Sequence, residues 1–229
     1  TWKPIYDKGF YDNTYKVLVN KYEVYSNTVT TKTPKPPKPV KAVLDRSGKD
    51  INGATTFDRN VTFRLMTDYS PYTKTLASAQ ALGKKFAILD DVQDGAFSVY
   101  QGNIKMTAAG QDVKKLFEMH HVLSDKARTD AISKILKELN LQPRGEFYLW
   151  VAKDSKSFYQ NFVKKNKNVT IDLPAKLLVK AGEKVENNFK QIDFGNSYQS
   201  NLVTVEVPNV KPEKHVLDRT GKKVLDGKE

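Results

Sequence analysis

Two stretches of this chain recur at a nearly constant distance, and that distance limits what it can fold into. Tyr25-Ser26-Asn27-Thr28-Val29 returns as Gln199-Ser200-Asn201-Leu202-Val203, so Asn27 and Asn201 are 201 − 27 = 174 residues apart. Asp12-Asn13 is answered by Glu186-Asn187 at the same offset, 187 − 13 = 174. Pro39-Val40-Lys41-Ala42-Val43-Leu44-Asp45-Arg46-Ser47-Gly48-Lys49 returns around Lys214 as Val216-Leu217-Asp218-Arg219-Thr220-Gly221-Lys222, at 214 − 41 = 173. Recurrence at a fixed long period marks tandem units. The expectation is modules about 174 residues long, in a chain that is a piece of something longer. Residues 1–33 are then the last strands of one module. Residues 34–41 are a Pro/Lys-rich linker, 41–208 a complete module, and 209–229 a linker with the first strand of a third.

The linker, Pro34-Lys35-Pro36-Pro37-Lys38-Pro39, is expected to run as extended polyproline II and to hold neighbouring modules in line. Across Lys32 to Lys41 lysine alternates with proline, in a chain with a net charge of +12. That balance favours anionic partners such as wall polymers or acidic glycans. The charge is spread along the chain rather than gathered on one motif, so nucleic acid is not expected as a partner. The chain has no cysteine, which removes disulfides, thiolate zinc sites and cysteine nucleophiles. No run reaches the roughly 18 apolar residues of a membrane helix, so membrane insertion is not expected.

Between the repeats, short alternating runs read as strands. They are Val61 to Thr67, Phe86 to Leu89, Phe97 to Tyr100, Phe147 to Val151, Val169 to Leu173, Leu177 to Val179 and Leu202 to Val207. Gly, Pro, Asn and Asp punctuate them, as in an antiparallel sandwich. Four helices are expected within it: Thr75 to Leu82, Asp112 to Met119, Asp130 to Leu139, and Ser155 to Lys164 with Asp154 or Ser155 as N-cap. The stretch from about Asp112 to Arg144 reads as a long helical excursion, which accounts for much of the excess over an ordinary immunoglobulin-like module.

Several residues carry a family resemblance. Lys41 stands in a first strand, followed by Gly48-Lys49-Asp50-Ile51-Asn52-Gly53 and later by Phe86-Ala87-Ile88-Leu89-Asp90-Asp91. Glu186-Asn187 precedes Gln191-Ile192-Asp193-Phe194-Gly195-Asn196-Ser197-Tyr198. These resemble the carboxy-terminal repeat domains of the antigen I/II family of Gram-positive, wall-anchored adhesins, most closely the middle one of three. The resemblance implies a mostly β, immunoglobulin-like sandwich of the variant type with extra strands and inserted helices. It implies an extracellular protein held at the cell wall through its parent chain. It also implies an intramolecular isopeptide bond from Lys41 to Asn187, promoted by Asp90. Asp91 and Asp68 are alternative acids, and Asn201 is the alternative asparagine.

The implied chemistry is consistent with elementary physics. An amine attacks a carboxamide only when neutral, and burial disfavours the charged forms of both Lys and Asp. A protonated Asp90 can then polarise the Asn187 carbonyl while the Lys41 amine attacks and ammonia leaves. The event is a single-turnover self-modification, not enzymatic turnover. No phosphate loop, nucleophile elbow or metalloprotease motif argues for an enzyme. His120 and His121 are adjacent and have no third ligand at suitable spacing. Asp90, Asp91 and Asp94 leave calcium conceivable without an EF-hand pattern to support it, and no cofactor is expected.

In the resembled family the excursion is a protruding handle tied to adherence to other bacteria. Here Ile132, Ile135 and Leu136 have the spacing of a partner-docking face, with Asn140 and Arg144 beside them, or they pack on their own sandwich. The expected function is a surface adhesin module that attaches to host or bacterial cells through a protein or glycoprotein receptor, and is itself a monomer. Two alternatives stand beside it: a structural stalk spacer with no binding role, and a polyanion-binding module.

Overall fold

The computed structural model describes residues 10–32 and 35–224. The first nine residues, Thr33-Pro34 where the linker starts, and the last five residues lie outside that description.

Four short strands come first: β1 (Phe10–Asn13), β2 (Lys16–Val19), β3 (Tyr22–Tyr25) and β4 (Val29–Lys32). β2 and β3 form a hairpin, and β1 pairs antiparallel with β4 around it. The rest of the described chain is mostly strand in multiple antiparallel sheets with a few short helices.

The first sheet of the sandwich runs in the order β11 (Gln111–Asp112), β10 (Lys105–Ala108), β14 (Val169–Leu177), β7 (Asn60–Met66), β5 (Val40–Leu44). β9 (Phe97–Val99) extends it by pairing with the far end of β14. β14 reads as two strands in the sequence because Pro174 interrupts it. The proline is tolerated because it falls where the neighbour on one side changes from β10, paired up to Asp172, to β9, paired from Ala175.

The second sheet has the order β12 (Phe117–Val122), β13 (Phe147–Ala152), β8 (Ala87–Asp91), β16 (Lys190–Asp193), β17 (Asn196–Gln199). A third, smaller sheet joins β15 (Lys184–Asn187), β18 (Val203–Glu206) and β6 (Ala54–Thr55). A last hairpin joins β19 (Val216–Leu217) to β20 (Lys223–Val224).

All six residues of β13 are buried, because that strand has an apolar layer on each face. Tyr148, Trp150 and Ala152 enter the main core between the sheets. Phe147, Leu149 and Val151 enter a second core, roofed by α2 (Asp130–Glu138) through Ile132 and Leu136. α2 starts at Thr129, whose side chain accepts from the Ile132 N–H. It ends in a Schellman arrangement: Leu141 N–H donates to Leu136 C=O, Asn140 N–H donates to Lys137 C=O, and Asn140 is left-handed at φ 54°.

The remaining helices are short. α1 (Ala79–Leu82) is capped by Ser78, so the expected helix from Thr75 starts four residues late. α3 (Ser155–Phe158) is capped by Asp154, as expected, and continues as a π-helical turn over Tyr159–Val163.

One expected helix is absent. Residues from Asp112 to Met119 have apolar spacing suited to a helix, yet only Lys114–Leu116 form a 3-10 turn. From Phe117 the chain is strand β12, and pairing along β13 prevails over the local pattern. The segment 112–144 is therefore a strand followed by a helix packed on the sheet.

The linker is corrected too. Pro37 and Pro39 are buried, and Lys38 N–H donates to Asp68 Oδ2 at 2.8 Å, so its second half belongs to the sandwich.

The sequence repeat has a structural counterpart. β1 pairs β4 with Phe10 opposite Lys32, and β15 pairs β18 with Lys184 opposite Glu206, at the 174-residue offset. β2–β3 and β16–β17 match likewise, Lys16 opposite Tyr25 and Lys190 opposite Gln199. The tight turn agrees as well: Asn20 and Lys21 have positive φ, as do Phe194 and Gly195. At the other end, Asp218 Oδ1 accepts from the N–H groups of Thr220 and Lys222, as Asp45 Oδ1 does from Ser47 and Lys49.

Candidate functional site

Strand period places three polar side chains in the apolar core. On β5, Lys41 shares a face with Val43; on β8, Asp90 shares one with Ile88; on β15, Asn187 shares one with Val185. The three meet where the first, second and small sheets converge. Lys41 is 2% exposed, Asp90 0% and Asn187 2%. Lys41 Nζ donates to both carboxylate oxygens of Asp90 at 2.8 Å and to the Asn188 backbone carbonyl at 3.3 Å. The Nζ also lies 5.4 Å from the centroid of the Phe63 ring. Asn187 Nδ2 donates to Asp90 Oδ2 at 3.4 Å, and Asn187 Oδ1 is buried with no hydrogen-bond partner.

Burial acts in opposite directions on the two ionisable groups and toward the same end. Desolvation lowers the pKa of Lys41 and raises that of Asp90; their mutual attraction opposes both shifts and is the smaller effect. Burial thus shifts the pair in the direction of a neutral amine and a protonated carboxyl. A buried lysine with one acid and one carboxamide, whose carbonyl oxygen is otherwise unpartnered, contains the three groups that amide formation needs.

The alternatives have other partners. Asp91 Oδ1 accepts from Arg144 N–H at 3.3 Å, and Asp68 accepts from the backbone of Lys38 and Ser70. Asn201 uses both ends of its carboxamide on the Lys41 backbone, each at 2.9 Å, and so does not offer its amide to the Lys41 amine. Asp91 and Asp94 accept from the N–H groups of Arg144 and Glu146, which occupies carboxylates that a hard cation would need. Among the described residues no three His, Asp or Glu side chains converge as a metal site.

The expected docking face is revised. Ile132 and Leu136 are buried in the second core, and Ile135 is partly buried against it. Asn140 is exposed but supplies the left-handed turn that ends α2, and Arg144 is exposed.

A second buried acid was not singled out from the sequence. Asp193 is fully buried, and burial raises its carboxyl to about 7. Tyr72 Oη and Gln191 Nε2 donate to its Oδ2 at 3.0 and 2.6 Å, while its Oδ1 has no partner. The available signal was the Gln191-Ile192-Asp193 alternation, which leaves two polar side chains on the face opposite an apolar one.

A mostly β sandwich of this kind, matched to the relatives below, is a surface adhesin-type domain. A family profile described as "Cell surface antigen I/II C2 terminal domain" matches residues 39–207. The chain belongs to that family.

Solved relatives agree. The C-terminal domain of the Streptococcus pyogenes antigen I/II-family protein AspA is 32% identical, with a TM-score of 0.69 over 81% of this chain and 57% of that one. The C-terminal domain of the Streptococcus agalactiae antigen I/II polypeptide BspA is 32% identical, with a TM-score of 0.65 over 81% and 55%. An aggregation substance of Enterococcus faecalis is 27% identical over 218 residues, 94% of this chain. The chain spans 15% of that protein and just over half of the two solved chains. Domains of this family are displayed at the cell surface.

Proposed function

We propose that residues 41–208 form a load-bearing adhesin module that cross-links itself from Lys41 to Asn187, in a wall-anchored parent protein that attaches cells to host or bacterial surface receptors. The observation that carries the reading is the buried triad. The Lys41 amine attacks the Asn187 side-chain carbon, and the carbon–nitrogen bond to the departing amide nitrogen breaks. Asp90, which accepts from both the Lys41 amine and the Asn187 amide nitrogen, relays the proton from the attacking amine to the departing nitrogen, so that ammonia leaves. Lys41 and Asn187 are 187 − 41 = 146 residues apart. Closing such a loop stabilises by about 5 kcal/mol on the chain-entropy account. Proteolysis tests the bond directly: a branched peptide joining the segments around residues 41 and 187 is expected, and two separate linear peptides would refute it.

The matching registers at both ends support the tandem reading. Residues 10–32 correspond to the closing strands of a preceding module and residues 214–224 to the opening of a following one. Asn13 and Lys214 are then the asparagine and lysine of those neighbours.

Adherence is assigned to the exposed surface around Arg144 rather than to Ile132 and Leu136. Charge reversal at Arg144 is expected to weaken attachment with the fold intact. Unchanged attachment would favour a spacer role.

One observation supports the polyanion reading. A cleft of about 450 Å³ is lined by Lys115, Lys153, Lys165 and Lys167, with Asn161 and Phe162. Binding of a sulfated or phosphate polymer there should weaken steeply with salt and in Lys165→Glu.

A further inference from the structure

Lys41 can reach Asn187 only if its strand holds station, and β5 is the outermost strand of its sheet. One edge of β5 is laddered to β7, from Val40 opposite Met66 to Leu44 opposite Thr62. At Lys41 the other edge is closed by a side chain. Lys41 N–H donates to Asn201 Oδ1, and Asn201 Nδ2 donates to Lys41 C=O, both at 2.9 Å. A single carboxamide thus satisfies both backbone groups of the lysine, as a paired strand residue would.

Asn201 is also tied to the turn that follows the other reactant on β15. Ser200 Oγ donates to the Asn201 carbonyl at 2.9 Å and accepts from Phe189 N–H at 3.0 Å. Ser200 N–H also donates to Phe189 C=O at 2.9 Å. Phe189 is two residues beyond Asn187, so a short hydrogen-bonded path links the Lys41 backbone to the Asn187 backbone. A second anchor acts three residues upstream, where Asp68 accepts from Lys38 N–H. Asp68 is itself held on both sides by Gln191, which accepts from its N–H at 2.7 Å and donates to its C=O at 2.9 Å.

We propose that Asn201 is a positioning residue for the cross-link: it fixes the distance between Lys41 and Asn187 without touching the reacting atoms. The proposal rests on the cross-linking reading above. The Ser-Asn pair recurs in the leading hairpin, where Ser26 Oγ accepts from Tyr15 N–H and donates to the Asn27 carbonyl, the same two bonds as at Ser200. The arrangement therefore accompanies the hairpin itself.

A reaction between groups held near attack distance is sensitive to displacements of about 1 Å, which can cost on the order of a hundredfold in rate. The test follows loss of ammonia with time in freshly synthesised chain, by intact mass, for the parent, Asn201→Ala and Asn201→Asp. Asn201→Ala is expected to cross-link about ten- to a hundredfold more slowly. Asn201→Asp keeps the acceptor and loses the donor, so it is expected to fall between. Melting of Asn201→Ala in an Asn187→Ala background, which cannot cross-link, separates rate from fold. A small change in Tm there with a large change in rate supports positioning. A parent that cross-links, with both Asn201 variants matching its rate, overturns this proposal alone. A parent that never loses ammonia overturns the cross-link and the positioning together.

Discussion

The hairpins at 10–32 and 184–206 have the same registers and the same turn geometry, yet their side chains live in different surroundings. Leu18 is 66% exposed, while Ile192, its counterpart 174 residues later, is fully buried. Asn13 is exposed where Asn187 lies in the core beside Asp90. Local sequence is therefore enough to pair the strands. Burial, shifted ionisation and the Lys–Asp–Asn cluster come only from the body of the module packed against them. On the proposed cross-link, the asparagine supplies the carboxamide and the desolvated setting is what would make it react.

The sharpest way to break this comparison is to remove each asparagine. Asn187→Ala should lose the cross-link and about 5 kcal/mol. For a chain of this size that corresponds to a fall in Tm of about 10–20 °C, read by calorimetry. Asn13→Ala is the last and smallest of the set and should shift stability by less than about 0.5 kcal/mol.

Between them lies the roof over Ile192. Leu136→Ala opens a cavity in the second core and should cost about 2–5 kcal/mol in denaturant melts. A cost near zero would return Leu136 to the docking face.

A subtler contrast lies at Asp193, whose counterpart Val19 is exposed. Burial raises the Asp193 carboxyl to about 7 from an ordinary 3.8, so the folded chain holds its proton more tightly than the unfolded chain. The stabilisation from that proton is complete below about pH 4 and is lost as pH rises through 7. Between pH 5 and 8 the parent should lose on the order of 2–3 kcal/mol from this group, and Asp193→Asn should flatten that fall. A parallel fall in both would place the titration elsewhere.

Much of the sandwich was legible because its strands alternate, and the triad because the family resemblance assigned Lys41, Asp90 and Asn187. The residues alone would not have joined them, since β5, β8 and β15 are distant in sequence. The Asp112–Met119 stretch misled because apolar residues at helical spacing also suit a turn followed by an edge strand, and only β13 decides between the two. Ile132 and Leu136 have the same spacing whether a helix faces a partner or its own sheet. Asn201 looked like a second reactive asparagine because its setting repeats, but that setting serves a backbone clamp.

The most direct test of the central claim is the intact mass of the purified chain beside Lys41→Ala and Asn187→Ala. The account predicts a parent lighter than its sequence by one ammonia, with the deficit absent from both variants. A parent at its full sequence mass would contradict it, leaving a buried Lys–Asp–Asn cluster that never reacts.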